Sequence, residues 1–186
     1  VYLNAGNGTI LRGNIFRDNV GGTTDGWGGA LDVAQSHDVL VKGNAFSDNI
    51  ASSVTKGQGG AIVLEYADVT LEGNLIQGNT AWQGGGAYVT NWATQETLAT
   101  WVNNVVVDNR TTDGGSGNGL YVTTLDGNVH NHLLHTTLAR NAGGDGSNVY
   151  VDLGTVILTN TLLYSHTVGV QNAGGVITMT QTLWDD

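Results

Sequence analysis

The sequence predicts an all-β fold, a parallel β-helix of about six to seven coils in which short strands stack above one another. Three observations predict it. A strand pattern of two apolar residues flanking a variable one recurs along the 186 residues. Apolar residues alternate within each short segment, which is the period of a half-buried strand. No segment has the spacing of three and four that an amphipathic helix needs. We therefore expect one solenoid domain over residues 1–186, cut from a longer solenoid.

The first strand of the repeat is marked by small residues that precede most copies, such as Gly28-Gly29 and Gly59-Gly60. Glycine permits a positive φ or a close backbone approach, as a tight corner requires. Each repeat is expected to hold two or three short strands joined by such corners. The copies of the first strand lie at 1–3, 31–33, 62–64, 87–89, 120–122, 149–151 and, more weakly, 170–172.

A second signature follows most first strands and ends in asparagine, as in the segment from Asn44 to Asn49, and it loosens in the later copies, one of which ends in Ser165. Asparagine tolerates left-handed backbone geometry, and its amide can bond to the next coil. We expect a ladder of amides at Asn19, Asn49, Asn79, Asn109 and Asn141.

Stacking also predicts which side chains form the core, since one position of successive repeats falls into one column. Each buried aliphatic or aromatic side chain contributes on the order of 1.5–3 kcal/mol. The inward columns are Leu31, Ile62, Ala87, Leu120 and Val149, then Val33, Leu64, Val89, Val122 and Val151, then Phe16, Phe46, Ile76, Val106, Leu138 and Leu162.

The pairing of Gly60-Ala61-Ile62 with Phe46-Ser47-Asp48-Asn49 resembles repeats of the pectate-lyase-like superfamily of right-handed parallel β-helix proteins. It is most similar to bacterial surface proteins of the polymorphic outer-membrane protein type. The resemblance covers nearly the whole chain and implies a right-handed coil at the cell surface or outside the cell. It does not fix an activity, because this fold carries lyases, hydrolases, adhesins and passive stalks.

Charge and composition limit the classes of partner that we expect for this chain. The net charge is -10 with six Lys and Arg, too few cations to neutralise nucleic acid. No apolar run is long enough to cross a bilayer, so we expect no membrane insertion of this segment. Neutral or cationic ligands fit best, and unpaired strands at the ends of a solenoid favour end-to-end or homo-oligomeric association.

An aromatic column is the main candidate for ligand binding. The outward position of the first strand reads Tyr2, Asp32, Val63, Tyr88, Tyr121 and Tyr150 in successive coils. The last three rings form an exposed column that could stack on sugar rings, with Trp82 and Trp92 on neighbouring loops. The alternative is structural, since tyrosine suits an exposed strand and stacks with itself.

Carboxylates supply the other candidates. Asp38 and Asp68 occupy the same corner of adjacent coils, with Glu65 near in sequence. One coil step is close to the ~5–5.5 Å between the carboxyl groups of retaining glycosidases. Asp18 and Asp48 precede the asparagine ladder and could share Ca²⁺, although no loop has calcium-binding spacing and solvation by water is the favoured explanation.

Histidine offers a weaker metal candidate, because His130 and His132 share one face of a strand without a clear third ligand. No glycine-rich phosphate loop or Gly-x-Ser-x-Gly motif is present.

These observations predict a non-catalytic extracellular or cell-surface segment, a stalk or adhesin, that binds glycan or another surface protein. No cofactor is required, with calcium the one candidate. The alternative is a carbohydrate-active hydrolase or lyase that uses Asp38, Asp68 and Glu65.

Overall fold

The computed structural model describes residues 1–92 and 94–185, and over this part the chain is all strand, without helices. All strand pairings of the described residues are parallel, and the strands form four sheets, three of which run the length of the molecule while the fourth spans the first five coils. The chain is a parallel β-helix of about seven coils, which confirms the predicted fold class.

The first, second and third sheets each hold seven strands, and the fourth holds five. The first sheet comprises β1 (Tyr2–Asn4), β5 (Leu31–Ala34), β9 (Ile62–Glu65), β13 (Ala87–Thr90), β17 (Leu120–Val122), β21 (Ser147–Val151) and β24 (Val168–Asn172). The second comprises β2 (Ile10–Arg12), β6 (Val39–Lys42), β10 (Asp68–Glu72), β14 (Thr97–Val102), β18 (Val129–Leu134), β22 (Thr155–Thr159) and β25 (Val176–Thr180). The third comprises β3 (Ile15–Arg17), β7 (Ala45–Ser47), β11 (Leu75–Gln77), β15 (Val105–Val107), β19 (Thr137–Ala139), β23 (Leu162–Tyr164) and β26 (Leu183–Asp185). The fourth comprises β4 (Val20–Gly22), β8 (Ile50–Ser52), β12 (Thr80–Gln83), β16 (Arg110–Ser116) and β20 (Ala142–Gly143).

The fourth sheet corrects the prediction of two or three strands in each repeat. Two of its strands, β4 and β8, have three residues each and directly follow Asn19 and Asn49 of the ladder. These strands are short and rich in glycine and serine, so their sequence lacks the alternation that marks a half-buried strand.

The inward columns form one continuous core. Leu31 pairs in register with Ile62, and Val33 pairs with Leu64, all four fully buried. The rings of Phe16 and Phe46 stack in successive coils with centroids 4.8 Å apart. The first two predicted columns are therefore confirmed, and so is most of the third.

The sixth coil departs from the predicted third column by one residue. Leu138 pairs with Leu163, which is fully buried, whereas Leu162 pairs with the outward Thr137. The assignment of Leu162 to the core was wrong, because a shift of one residue in a strand exchanges its two faces.

The predicted asparagine ladder is confirmed, and the structure contains a second ladder beside it. The backbone N–H and side-chain amide of Asn49 both donate to Asn79 Oδ1, each at 2.9 Å, and its amide also donates to the carbonyl of Phe16 at 3.0 Å. A second ladder, which the sequence reasoning did not identify, has the same geometry and contains Asn14, Asn44, Asn74 and Asn104.

Each ladder asparagine follows a left-handed corner. The residues before the first ladder, Asp18, Asp48, Gly78, Asp108 and Arg140, have φ between 52° and 70°. The ladders hold these corners in place, and the corners direct the strands onto the four sheets.

Candidate functional site

The outer face of the first sheet carries the candidate site. Its outward column follows the predicted order, since Asp32 pairs with Val63, Val63 with Tyr88, Tyr88 with Tyr121 and Tyr121 with Tyr150. Two residues further along each strand, a parallel column holds Ala34, Glu65 and Thr90.

The three tyrosine rings stack on one another. The centroids of Tyr88 and Tyr121 are 5.3 Å apart, and those of Tyr121 and Tyr150 are 5.0 Å apart, with nearly parallel planes. The prediction that this column is exposed is wrong for two of its members, because Tyr88 is 2% and Tyr121 is 6% exposed. Only Tyr150 keeps partial contact with solvent. Burial raises the pKa of all three phenols, most strongly for Tyr88 and Tyr121.

Two tryptophans lie at the Tyr88 end of the tyrosine stack. Trp27 lies edge-on to Tyr88 with centroids 5.8 Å apart, and Trp92 lies against Trp27 at 6.1 Å. The backbone N–H of Trp92 donates to the hydroxyl of Tyr66 at 2.8 Å, which ties the loop after β13 to the coil below. Trp92 nonetheless remains 43% exposed, so its indole is the most accessible ring of the cluster.

We call the set of Trp27, Val63, Tyr88, Trp92, Tyr121 and Tyr150 the outer aromatic cluster. It is a small apolar cluster on the outside of the sheet, separate from the main core. Trp27 was missed from the sequence. The sequence holds one indication of its role. Trp27 directly precedes Gly28-Gly29, and the equivalent positions of the next two coils are the polar residues Gln58 and Gln83.

Trp82 does not belong to this cluster. It lies in β12 of the fourth sheet and not on a loop, and the Lys56 ammonium sits 3.9 Å from the centroid of its ring. A cation over the ring face already uses the surface that a sugar would contact.

Two acids lie on the face of the first sheet beside the outer aromatic cluster. The pKa of Asp32 is raised to about 7, first because the carboxyl is desolvated by burial and second because Glu65 is near. Burial also raises the pKa of Glu65. Within the described part of the chain, Asp32 Oδ1 is buried without a hydrogen-bond partner. In the sequence, Asp32 is the one acid of a largely apolar and aromatic column. This exception pointed to a special role for Asp32, but none was predicted for it.

A backbone corner separates the three acids that were predicted to form one site, Asp38, Asp68 and Glu65. Asp38 and Asp68 each precede a strand of the second sheet, and the register of Val39 on Val69 places them in the same position of adjacent coils, as expected. Glu65 ends β9 in the first sheet, and Tyr66 makes a left-handed corner between it and Asp68. Glu65 therefore shares a face with Asp32, and the surface of the second sheet holds Asp68.

The corner acids lie beside arginines. Arg17 Nε lies 3.3 Å from Asp18 and 3.7 Å from Asp48. Arg140 donates two hydrogen bonds of 2.8 Å to Asp108, and these bonds hold the pKa of that carboxyl below its ordinary value.

His130 and His132 lie on the second sheet, where they line a shallow pocket together with Asp68. His130 and His132 both point outward from β18, and His130 Nε2 lies 3.6 Å from Glu96. Over residues 1–92 and 94–185, no group of three or more His, Cys, Asp or Glu side chains is arranged to hold a metal ion.

Comparisons with known proteins identify no relative, so a function has to be inferred from the fold and the contacts described above. No protein-family model, curated protein or solved structure matches the chain. None of the described segments forms a helix of the length and apolarity that crossing a membrane would take.

Proposed function

We propose that the chain is a non-catalytic segment of an extracellular or cell-surface β-helix protein, a stalk or adhesin, and that it binds saccharide on the outer face of its first sheet. The pectate-lyase-like superfamily, with its surface proteins of the polymorphic outer-membrane type, is the family that the Gly-Gly-Ala and Phe-x-x-Asn repeats favour.

The observation that carries the proposal is the exposed indole of Trp92 at the edge of the outer aromatic cluster. Sugar rings present C–H groups that pack on an aromatic face, and a ring held in place by neighbours loses little entropy when a ligand stacks on it. Trp27 and Tyr66 hold Trp92 by a ring contact and a hydrogen bond. The parallel strands below provide a rigid base, and loops on such a base commonly carry binding residues.

The test compares two tryptophans in calorimetric titrations against a panel of oligosaccharides. We expect Trp92→Ala to weaken binding by about tenfold or more, since loss of a stacked ring costs on the order of 1–3 kcal/mol. Trp82→Ala is the matched control, because Lys56 covers that ring, and it should bind as the wild type does. Equal affinity in all three proteins, with unchanged melting temperatures, would overturn the assignment of this face.

A second candidate function is hydrolysis of a polysaccharide on the same face. It is favoured by the raised pKa of Asp32, to about 7, because a carboxyl that stays protonated near neutral pH can act as a general acid. Its partner would be Glu65, while Asp38 and Asp68 lie around the corner. Release of new reducing ends from a polysaccharide, lost in Asp32→Asn and in Glu65→Gln, would replace the non-catalytic proposal with this one.

A further inference from the structure

The positive charges of the molecule are unevenly distributed. All six Lys and Arg side chains belong to the second, third and fourth sheets or to their corners and loops. Four of them lie in strands of those sheets, Lys56 sits over Trp82 of the fourth sheet, and Arg140 follows β19 of the third sheet and pairs with Asp108. The strand residues are Arg12, Arg17, Lys42 and Arg110.

The face of the first sheet carries acids and no Lys or Arg among the described residues. Asp32 and Glu65 lie on it at one end of the tyrosine stack, close enough for Glu65 to raise the pKa of Asp32. Asp152 follows β21 near the other end, where it accepts a hydrogen bond from Thr123 at 3.0 Å. The pKa of the neighbouring Tyr150 is raised first by burial and second by the charge of Asp152.

We infer that the saccharide bound on this face carries protonated amines, as in a polymer of unacetylated glucosamine, with Asp32 and Glu65 as its carboxylate partners and Trp92 as its aromatic partner. This inference rests on the proposed function and adds the chemical class of the ligand. An ammonium near an indole face gains a cation–π attraction, and a carboxylate beside it adds a charge-assisted hydrogen bond.

The burial of Asp32 supports the same ligand class. An ionised carboxylate that is removed from water without a partner is destabilised, and a cation placed beside it removes that penalty. Asp32 Oδ1 is buried and has no hydrogen-bond partner in the described chain.

Other saccharide classes fit less well. A uronate polymer would bring further negative charge to a face that already carries acids, and the net charge of -10 adds to that repulsion. A neutral polymer would offer the carboxylates only hydroxyl donors, whereas an ammonium group gives charge-assisted hydrogen bonds, which are stronger.

The test titrates the wild-type chain with three oligomers of equal length: glucosamine, N-acetylglucosamine and galacturonate. We expect the amine form to bind about tenfold or more tightly than the acetylated form, from one cation–π contact and one exposed ion pair together. Its affinity should fall as salt is added, whereas that of the acetylated form should not.

The variant Asp32→Asn/Glu65→Gln then assigns the carboxylates. It should lose the preference for the amine and keep its affinity for the acetylated oligomer, while Asp38→Asn, on the far side of the corner, should keep both. Equal binding of the amine and acetylated forms by the wild type, or tighter binding of the uronate, would overturn this inference and leave saccharide binding intact. Absence of binding to all three oligomers would count against the proposed function itself.

Discussion

At the residue scale, Asp32 shows how one half-buried acid couples stability to pH. Its pKa is 3.8 without the protein environment and about 7 in the folded chain, because burial and Glu65 disfavour its ionised form. Between these two pH values the folded state keeps a proton that the unfolded state has released. The free energy of unfolding therefore falls as the pH rises through this range.

We expect Asp32→Asn, which cannot ionise, to remove this part of the pH dependence. Relative to the wild type, the variant should gain on the order of 2 kcal/mol between pH 4 and pH 8, an estimate reduced because the carboxyl keeps partial contact with water. Urea unfolding at the two pH values measures the difference. Asp38→Asn serves as the control, and parallel profiles for Asp32→Asn and the wild type would contradict the assignment.

At the scale of elements, the asparagine ladders hold neighbouring coils in register. Asn79 is fully buried and lies in the middle of its ladder. It accepts two hydrogen bonds of 2.9 Å from Asn49 and donates to the carbonyl of Phe46 at 3.0 Å and to Asn109 at 2.9 Å. Its removal leaves polar groups of three residues buried without these partners.

We expect Asn79→Ala to lower the free energy of unfolding by about 3 kcal/mol or more, because each stranded group costs on the order of 1–3 kcal/mol. Urea unfolding monitored by circular dichroism measures the loss. Asn7→Ala is the matched control, since Asn7 Oδ1 also accepts a backbone hydrogen bond from the next coil, at 2.9 Å from His37, but at an exposed site. A loss of similar size in the two variants would show that the buried ladder adds no special stability.

At the scale of the whole molecule, several of the acidic side chains lie beside basic side chains of the same chain. Arg17 and Arg140 are close to the corner acids Asp18, Asp48 and Asp108, and Lys42 bonds to Glu72 at 2.6 Å. A calcium ion at the corners would have to compete with the guanidinium groups and would find few carboxylates for its six to eight ligands.

We therefore expect the melting temperature to stay within about 1 °C when calcium is added to millimolar concentration or removed by a chelator, because a ligand stabilises only a fold that binds it. Differential scanning calorimetry at constant ionic strength makes the comparison. A rise with calcium that the chelator reverses would show that the folded chain binds the ion, and its loss in Asp18→Asn/Asp48→Asn would assign the ion to these corners.

The sequence was sufficient to predict the stack itself. A repeat with alternating apolar residues determines which side chains face inward, so Leu31, Ile62 and Leu64 could be placed in the core without a structure. The ladder from Asn19 to Asn141 followed from the same repeat. The prediction failed at Leu162 because its repeat carries neither the phenylalanine nor the ladder asparagine that mark the register.

The candidate site could be predicted only in part. Repeat alignment placed Asp32, Tyr88, Tyr121 and Tyr150 in one outward column, as the pairing shows. Alternation says which face of a strand a side chain occupies, but it does not say what covers that face.

The sequence by itself determined the all-β repeat, most of the inward columns and one ladder, because these depend on a fixed period along the chain. Only the tertiary structure decided that Tyr88 and Tyr121 are buried, that Trp92 stays accessible, and that Glu65 lies near enough to Asp32 to raise its pKa after burial does so. The physical reason is that Trp27 and Trp92, which come from loops of different coils, meet above the first sheet. Contacts between loops of different coils have no period in the sequence and form only when the coils are stacked.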